Sequence, residues 1–166
     1  MDPKSTKPHG MRRKDREVTD RTWMEEILKR GQVVHIAMTD PEGHPYMVTM
    51  GYGYRDGALY LHGAREGRKN DILAVHPEVC FQVVLDVEVL RAPTGVEFSM
   101  KYRSVTGFGR IHTLTNSSEK NEALAILMQQ YEGPHENLDE KALARVWTAR
   151  LDIDNMTGKC ANYSEP

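Results

Sequence analysis

The sequence lacks long apolar runs, paired cysteines and an excess charge of either sign. No apolar run approaches the roughly 20 residues that a membrane-spanning helix needs, and the start, Met1-Asp2-Pro3-Lys4, has no apolar stretch typical of a secretory signal. Cys80 and Cys160 form neither a disulfide framework nor a zinc-ligand pair. The 22 Lys and Arg residues nearly balance the 24 Asp and Glu residues. These absences predict a cytoplasmic protein with no membrane or nucleic-acid partner.

The common catalytic motifs are also absent. There is no Gly-x-Ser-x-Gly elbow, no P-loop and no His-Glu-x-x-His sequence. Gly51-Tyr52-Gly53 continues into Tyr54, so it lacks the dinucleotide-binding fingerprint. The histidines other than His62 are scattered without metal-ligand spacing, which predicts no metal site.

With 166 residues, the chain is predicted to form one domain at 19–160, with a flexible N-terminal arm at 1–18 and a C-terminal tail at 161–166. Basic residues are concentrated in the arm, among Pro, Ser, Gly and acidic residues. A mobile arm is the favoured interpretation, and a nucleic-acid-binding arm is the alternative.

Periodicity predicts mainly β structure with a few helices. Asp20 and Asn116 are predicted N-caps, and Arg55-Asp56-Gly57-Ala58 is typical of a tight hairpin. Predicted helices lie at 20–30, 67–76, 116–131 and 138–145. Predicted strands lie at 33–38, 46–54, 59–62, 79–85, 98–115 and 147–154. This order predicts a six- to seven-stranded antiparallel Greek-key barrel, a split β-barrel with peripheral helices.

Two neighbouring features suggest a ligand site. In the second strand, Thr49, Gly51 and Gly53 share a nearly bare face that admits a flat ring, although barrel curvature explains the glycines equally well. After the third strand, the segment 62–69 combines two glycines with Arg65, Arg68 and Lys69 at a helix start. That combination suits a phosphate monoester, and a simple turn with solvated cations is the alternative.

Two further candidates stay open between a functional and a structural role. His62 is a candidate ligand contact or proton donor, or a structural residue at a strand end. The segment Met100-Lys101-Tyr102-Arg103-Ser104 is either an exposed strand edge protected by cations or the second wall of a ligand site.

At these residues the chain resembles the pyridoxamine 5'-phosphate oxidase-like FMN-binding split barrels, in particular the nitroimidazole-resistance (Nim-type) subgroup. The resemblance runs from 11 to 159 and is carried by the segments 11–17, 56–64 and 67–69, and above all by Ser-Met-Lys-Tyr-Arg-Ser-Val-Thr-Gly-Phe-Gly at 99–109. Gly63 departs from it, because the Nim-type pattern commonly has Ser there; a hydroxyl ligand is then missing and the backbone amide remains.

The resemblance implies a homodimer with flavin mononucleotide (FMN) at the subunit interface. The implied contacts to the ring are Met47, Val48, Thr49 and Met50. The implied contacts near the phosphate are Leu61, His62, Gly63, Ala64, Arg68 and Lys69. The implied contacts from the partner subunit are Met100, Lys101, Tyr102, Arg103 and Ser104.

The implied activity is that of an FMN-dependent oxidoreductase that reduces the nitro group of a nitroimidazole, with His62 as the nearest proton source. One alternative is a pyridoxamine-phosphate-oxidase-type flavoenzyme that acts on another small substrate. The other is a non-catalytic dimer, since some relatives of this fold bind haem or a deazaflavin. The electron donor is undefined.

Overall fold

A computed structural model describes residues 10–163, which form seven strands, four α-helices and a 3-10 turn at Lys14–Arg16. The strands are β1 Glu17–Val18, β2 Val33–Thr39, β3 Pro45–Arg55, β4 Ala58–Gly63, β5 Glu78–Leu90, β6 Ser99–Thr113 and β7 Trp147–Ala161. The helices are α1 Arg21–Arg30, α2 Arg68–Val75, α3 Ser117–Gln130 and α4 Glu140–Leu143.

All strand pairings are antiparallel, and the sheet closes on itself. The strand order is β1-β7-β4-β3-β2-β5-β6, and β6 also pairs with β7, so β2 to β7 form a ring to which β1 is added. β5 returns beside β2 after the meander β2-β3-β4, which is the Greek-key arrangement. The predicted mainly β antiparallel barrel with peripheral helices is therefore confirmed.

The helix starts follow from local capping. The Asp20 carboxylate accepts a hydrogen bond from the Thr22 amide at 2.8 Å, and the Asn116 side chain accepts from the amides of Ser118 and Glu119. α1 packs Met24, Ile27 and Leu28 against the barrel core. The side chains at the centre of that core are fully buried: Tyr52, Phe81, Leu59, Leu61, Val83 and Leu151.

The ordered structure extends beyond the predicted domain boundaries. Glu17 and Val18, which the prediction assigned to a flexible arm, pair with Lys159 and Gly158 in β7. At the other end β7 continues to Ala161, within the predicted tail. Both extensions come from long-range strand pairing. Residues 1–9 of the predicted arm and 164–166 of the predicted tail lie outside the described residues.

Beyond the last pair between β2 and β3, side chains at the C-terminal end of α3 accept the hydrogen bonds of the β3 amides. The β2–β3 ladder ends at Val33–Gly51, and beyond it the amide of Tyr52 donates to Tyr131 Oη at 2.9 Å while the amide of Tyr54 donates to Gln130 Oε1 at 3.2 Å. A Cβ at Gly53 would lie 2.7 Å from the Ile126 backbone. A Cβ at Gly51 would lie 2.8 Å from Tyr131 Oη. The bare face predicted for a flat ring is therefore covered by Tyr131 at Gly51 and by α3 at Gly53, and that prediction is wrong at both glycines.

Thr148 provides a stability prediction, because its side chain is fully buried and its Oγ1 has no hydrogen-bond partner among the described residues. Thr148→Val removes this unsatisfied hydroxyl, so we expect the free energy of unfolding to stay unchanged or rise by about 1 kcal/mol. Thr113→Val is the matched control, since it removes the acceptor of a 3.2 Å bond from Trp147 Nε1. Urea unfolding measures both variants, and a loss in Thr148→Val equal to that in the control would contradict the prediction.

Candidate functional site

β3 has an open edge along half of its length. Its pairing with β2 runs to Pro45, whereas its pairing with β4 ends at Tyr52–Leu61. The β3–β4 turn is a two-residue hairpin with positive φ at Asp56 (49°) and Gly57 (79°), and such a turn makes Arg55 and Ala58 a hydrogen-bonded pair. Backbone groups that face the same side recur at every second residue. Met47, Thr49 and Gly51 therefore direct N–H and C=O groups to the open side.

The side chains of the four predicted ring contacts divide between two surfaces. Met47 is 63% exposed on the outside of the barrel, and the exposed Thr49 bonds His35 Nδ1 through its Oγ1 at 2.9 Å. Val48 and Met50 point inward and pack against the core. A ligand beside this edge would therefore meet mostly backbone, with Met50 below it.

The chain segment after β4 forms a turn that ends at the start of α2. β4 stays paired with β7 as far as Gly63–Trp147, after it has left β3. Gly67 is the N-cap of α2, with φ 116°, a conformation that favours glycine, and it offers no side-chain acceptor to the helix. The first amides of α2 at Arg68 and Lys69 therefore need an acceptor from elsewhere.

Lys69 is a half-buried cation beside this turn. Its Nζ lies 3.3 Å from the centroid of the Trp147 ring and also contacts Asn70 Oδ1. Burial lowers the pKa of Lys69 to about 8. No Asp or Glu within residues 10–163 forms an ion pair with it. An anion that binds here would supply the missing counter-charge.

Gly63 lies between the open edge of β3 and the side chain of Lys69. A Cβ at Gly63 would lie 3.6 Å from Met50 Cε, 3.9 Å from Trp147 Cε3 and 4.0 Å from Lys69 Cε. We refer to Gly63, Lys69, Trp147 and the first amides of α2 as the cradle. The structure thus brings the predicted residues Met50, Gly63 and Lys69 together. Trp147 was not predicted as a site residue, since nothing in the local sequence links it to residues 63–69.

Arg68 is engaged by other protein groups. Its guanidinium pairs with Asp40 at 3.1 Å and lies 4.7 Å from the centroid of Tyr46. Burial acts to raise the pKa of Asp40, but hydrogen bonds from the His44 amide and from Arg68 outweigh it, so the pKa of Asp40 is lowered. Arg68 therefore ties α2 to the turn between β2 and β3, and its contact with a phosphate stays a prediction.

The remaining predicted residues near the cradle differ in accessibility. Leu61 is buried in the core at 1% exposure, so only its backbone is near the site. His62 is exposed, lies opposite Thr148 and makes no side-chain hydrogen bond within the described residues. The carbonyl of Ala64 accepts from Asn70 Nδ2 at 2.9 Å, which stabilises the turn. The proton-donor role of His62 stays a prediction.

The predicted segment 100–104 lies far from the cradle of its own chain. Ser104 pairs with Lys159, and Gly63 pairs with Trp147, twelve residues earlier in β7. Twelve strand residues correspond to at most about 40 Å along β7. The contact of this segment with a flavin, from the same chain or from a partner, stays a prediction.

The side chains of segment 100–104 alternate between two environments. Arg103 pairs with Asp86 at 2.9 Å, and both Lys101 and Arg103 lie against the ring of Tyr163, at 4.3 and 3.7 Å. Met100, Tyr102 and Ser104 instead line the outside of the barrel. The two cations are thus occupied within the chain, which the sequence did not indicate because Tyr163 lies near its end.

The outside of the barrel carries a continuous hollow from β3 to β6. Two adjoining depressions, of about 360 and 460 Å³, share Gln82 and Thr106. Met47 lies at one end and Met100, 46% exposed, at the other. We call this surface the outer face; it is lined by Met11, His35, Ala37, Met47, Cys80, Phe81, Gln82, Val84, Val87, Met100, Tyr102, Ser104, Thr106, Thr157 and Lys159. None of the helices within residues 10–163 is long and apolar enough to cross a membrane.

The closed antiparallel ring, with one strand edge open beside a cationic turn, defines a split-barrel protein with a candidate anion site. The family model for pyridoxamine 5'-phosphate oxidase matches residues 20–160. The chain belongs to this family, whose members include flavin-binding proteins. No curated protein matches the chain.

Solved structures with the same fold include three with high structural similarity. A candidate 5-nitroimidazole antibiotic resistance protein from Bacteroides thetaiotaomicron VPI-5482 has a TM-score of 0.78 and 29% identity, over 86% of this chain and 85% of that one. The FAD and haem binding protein from Mycobacterium smegmatis has a TM-score of 0.80 and 22% identity, over 89% and 74%. The flavocytochrome Anf3 from Azotobacter vinelandii has a TM-score of 0.79 and 21% identity, over 93% and 73%.

Proposed function

We propose that this chain binds FMN as a homodimer and acts as a flavin-dependent reductase of nitroimidazole-type substrates. The phosphate lies in the cradle and the ring lies along the open edge of β3. The observation that carries the proposal is the half-buried Lys69, which has no carboxylate partner in the described part of the chain and lies beside an unpaired strand edge.

The cradle fits a phosphate monoester in charge and in donors. A phosphate carries about −1.5 to −2 charges at neutral pH and has three strong acceptor oxygens. Lys69 supplies a positive charge, and the amides that begin α2 supply directed N–H groups. Gly63 provides no hydroxyl. A Cβ at this position would lie at ordinary contact distance from Trp147 and Met50, so its absence leaves a space beside both side chains.

The open edge fits the ring. The backbone N–H and C=O groups of Met47, Thr49 and Gly51 point to the open side of β3. A flavin ring carries carbonyl oxygens and an N–H group along one side. When bound, the flavin supplies hydride or electron transfer, while the protein contributes binding and orientation. Thr49 is fixed by its bond to His35, so this part of the strand is held in place before a ligand binds.

The homodimer is supported by the outer face. In a two-fold interface, each surface element meets its counterpart from the partner in reverse order. Packing two outer faces together would bring segment 100–104 of one copy towards the Met47 end of the other. The apolar side chains of Met47 and Met100, each more than 40% exposed in one copy, would be covered. Met100 and Tyr102 would then be the partner contacts to the flavin, whereas Ser104 is only 4% exposed in its own chain.

The nitro group as substrate is supported by the likeness to the resistance protein from Bacteroides, at 29% identity. In this reaction the nitro group takes up electrons and protons and releases its oxygens as water. His62 is exposed and free of side-chain hydrogen bonds within the described residues, so it is the candidate proton donor to a nitro group that stacks on the ring.

Two half-reactions distinguish this activity from pyridoxamine-phosphate oxidation. The FMN-loaded protein is reduced anaerobically with dithionite, freed of excess reductant and mixed with a nitroimidazole. Full reduction of one nitro group to an amine takes six electrons and six protons and releases two waters, so it consumes three two-electron reduced flavins. With at least three equivalents of reduced protein per nitroimidazole, we expect the yellow colour to return and an amine product to form, and a mixing control with air reports ordinary reoxidation. Bleaching of the oxidised protein by pyridoxamine phosphate, with no response to the nitroimidazole, would favour an oxidase instead.

The flavin itself is tested by comparing FMN with FAD, because two of the structurally similar proteins are described as flavin- and haem-containing. We expect FMN to bind at least as tightly as FAD, since the cradle holds one phosphate. A much higher affinity for FAD, or a haem-like absorption band in the purified protein, would contradict the assignment to FMN.

A further inference from the structure

A lysine has a long flexible stem, and an ion pair commonly orients it. No ion pair to Lys69 is formed among residues 10–163; its ammonium is held by the face of the Trp147 ring, 3.3 Å from Nζ, and by a hydrogen bond that it donates to Asn70 Oδ1. A cation over the face of an indole ring is attracted by the ring quadrupole. The contact is well formed, because Lys69 is half-buried and Trp147 is only 7% exposed.

Trp147 is itself held in a defined orientation. It is the first residue of β7 and pairs with Gly63, the glycine of the cradle. Its Nε1 donates a hydrogen bond of 3.2 Å to Thr113 Oγ1 on β6. The position of the Trp147 ring is therefore fixed by the strand pairing of its backbone and by the hydrogen bond of Nε1. It can act as a rigid support for the Lys69 ammonium.

An aromatic ring has an advantage over a carboxylate in this position. Asp or Glu would also hold the ammonium, but its negative charge would cancel that of Lys69 and repel a phosphate dianion. The indole ring attracts the ammonium and carries no net charge. Lys69 is therefore held in place while its full charge remains available to an anion.

We infer that Trp147 is the positioning residue for Lys69, and that it sets the preference of the site for phosphorylated over unphosphorylated flavin. This inference rests on the proposed function. It assigns to Trp147 a role in affinity for one group of the ligand, the phosphate, in addition to its role in packing.

A pH dependence supports the same arrangement. Because burial lowers the pKa of Lys69 to about 8, the ligand-free site is charged below that pH and becomes neutral above it. A bound phosphate favours the charged form, so FMN binding is accompanied by proton uptake above pH 8. We expect FMN affinity to be constant from pH 7 to about 8 and to fall above it, relative to riboflavin. A constant FMN-to-riboflavin ratio up to pH 10 would contradict this.

The decisive test replaces Trp147 with Leu and with Phe and measures the Kd of FMN and of riboflavin by flavin fluorescence. A partly desolvated cation–π contact contributes about 1–2 kcal/mol, so Trp147→Leu should weaken FMN by about 5- to 30-fold and riboflavin by less than about 3-fold. Trp147→Phe should retain most of the preference. Equal losses for both ligands, or no loss for FMN, would overturn the inference.

A second measurement remains informative if Trp147→Leu does not fold. Fluorinated tryptophan keeps the shape of the ring and weakens its quadrupole, and Trp23→Phe leaves Trp147 as the only tryptophan in the chain. FMN affinity should fall stepwise with the number of fluorine atoms, and riboflavin affinity should not. A flat FMN series would overturn the inference alone. Binding of neither flavin by the unsubstituted protein would overturn the proposed function as well.

Discussion

Replacing Lys69 with Met is expected to raise the Kd for FMN by between about tenfold and a hundredfold, and to change the Kd for riboflavin by less than about threefold. A hydrogen bond to a charged group contributes about 1.5–3 kcal/mol, and 1.4 kcal/mol corresponds to tenfold in affinity. Met keeps the apolar stem over Trp147, so packing around Gly63 is preserved. Equilibrium titration of both flavins measures the difference.

Two control variants, Lys29→Met and Arg68→Met, show whether the loss of FMN affinity is specific to Lys69. Lys29→Met removes an exposed cation on α1, paired with Glu26, and should leave both affinities unchanged. Arg68→Met removes the pair with Asp40, and we expect a smaller loss for FMN than in Lys69→Met because Arg68 is already engaged. Equal losses of FMN and riboflavin in Lys69→Met would mean that the phosphate binds elsewhere.

Replacing Gly53 with Ala is expected to lower the free energy of unfolding by about 2–3 kcal/mol. The new Cβ would lie 2.7 Å from the carbonyl of Ile126 and from the amide nitrogen of Leu127, so the backbone of α3 or β3 must move. That movement would also strain the hydrogen bonds that the β3 amides of Tyr52 and Tyr54 donate to Tyr131 Oη and Gln130 Oε1. Urea unfolding measures the loss.

Gly95→Ala is the matched control, because a Cβ at Gly95 meets nothing within 4 Å and its backbone is not in the left-handed region. Its stability should change by less than about 0.5 kcal/mol. If Gly53→Ala were as stable as this control, the close packing of α3 on β3 would be contradicted, and barrel curvature would again be a sufficient reason for the glycine.

Local signals were sufficient to predict the helices and all strands except β1. Asp20 and Asn116 cap α1 and α3 through short-range bonds, and Asp56-Gly57 forms the turn of the β3–β4 hairpin. Each of these depends on residues that are close in sequence. The extent of β7 and the existence of β1 could not be predicted in this way, because both depend on long-range pairing: Ala161 of β7 pairs with Tyr102, and Glu17 of β1 pairs with Lys159.

The candidate site was predictable only in part, for the same reason. Gly63, Gly67 and Lys69 lie in one segment, so the sequence indicated that they act together. Trp147 reaches Lys69 only through the β4–β7 pairing, and Tyr163 reaches Arg103 only through the last turn of the described chain. Glycine in a strand has several physical causes, and the sequence could not indicate that α3 covers Gly53.

The most direct test of the central claim is the visible spectrum of the purified protein, followed by titration with FMN if it is colourless. We predict a yellow protein, or binding of one FMN per chain with a Kd below about a micromolar. A protein that binds no FMN at micromolar concentrations would contradict the account of the cradle and the open edge of β3.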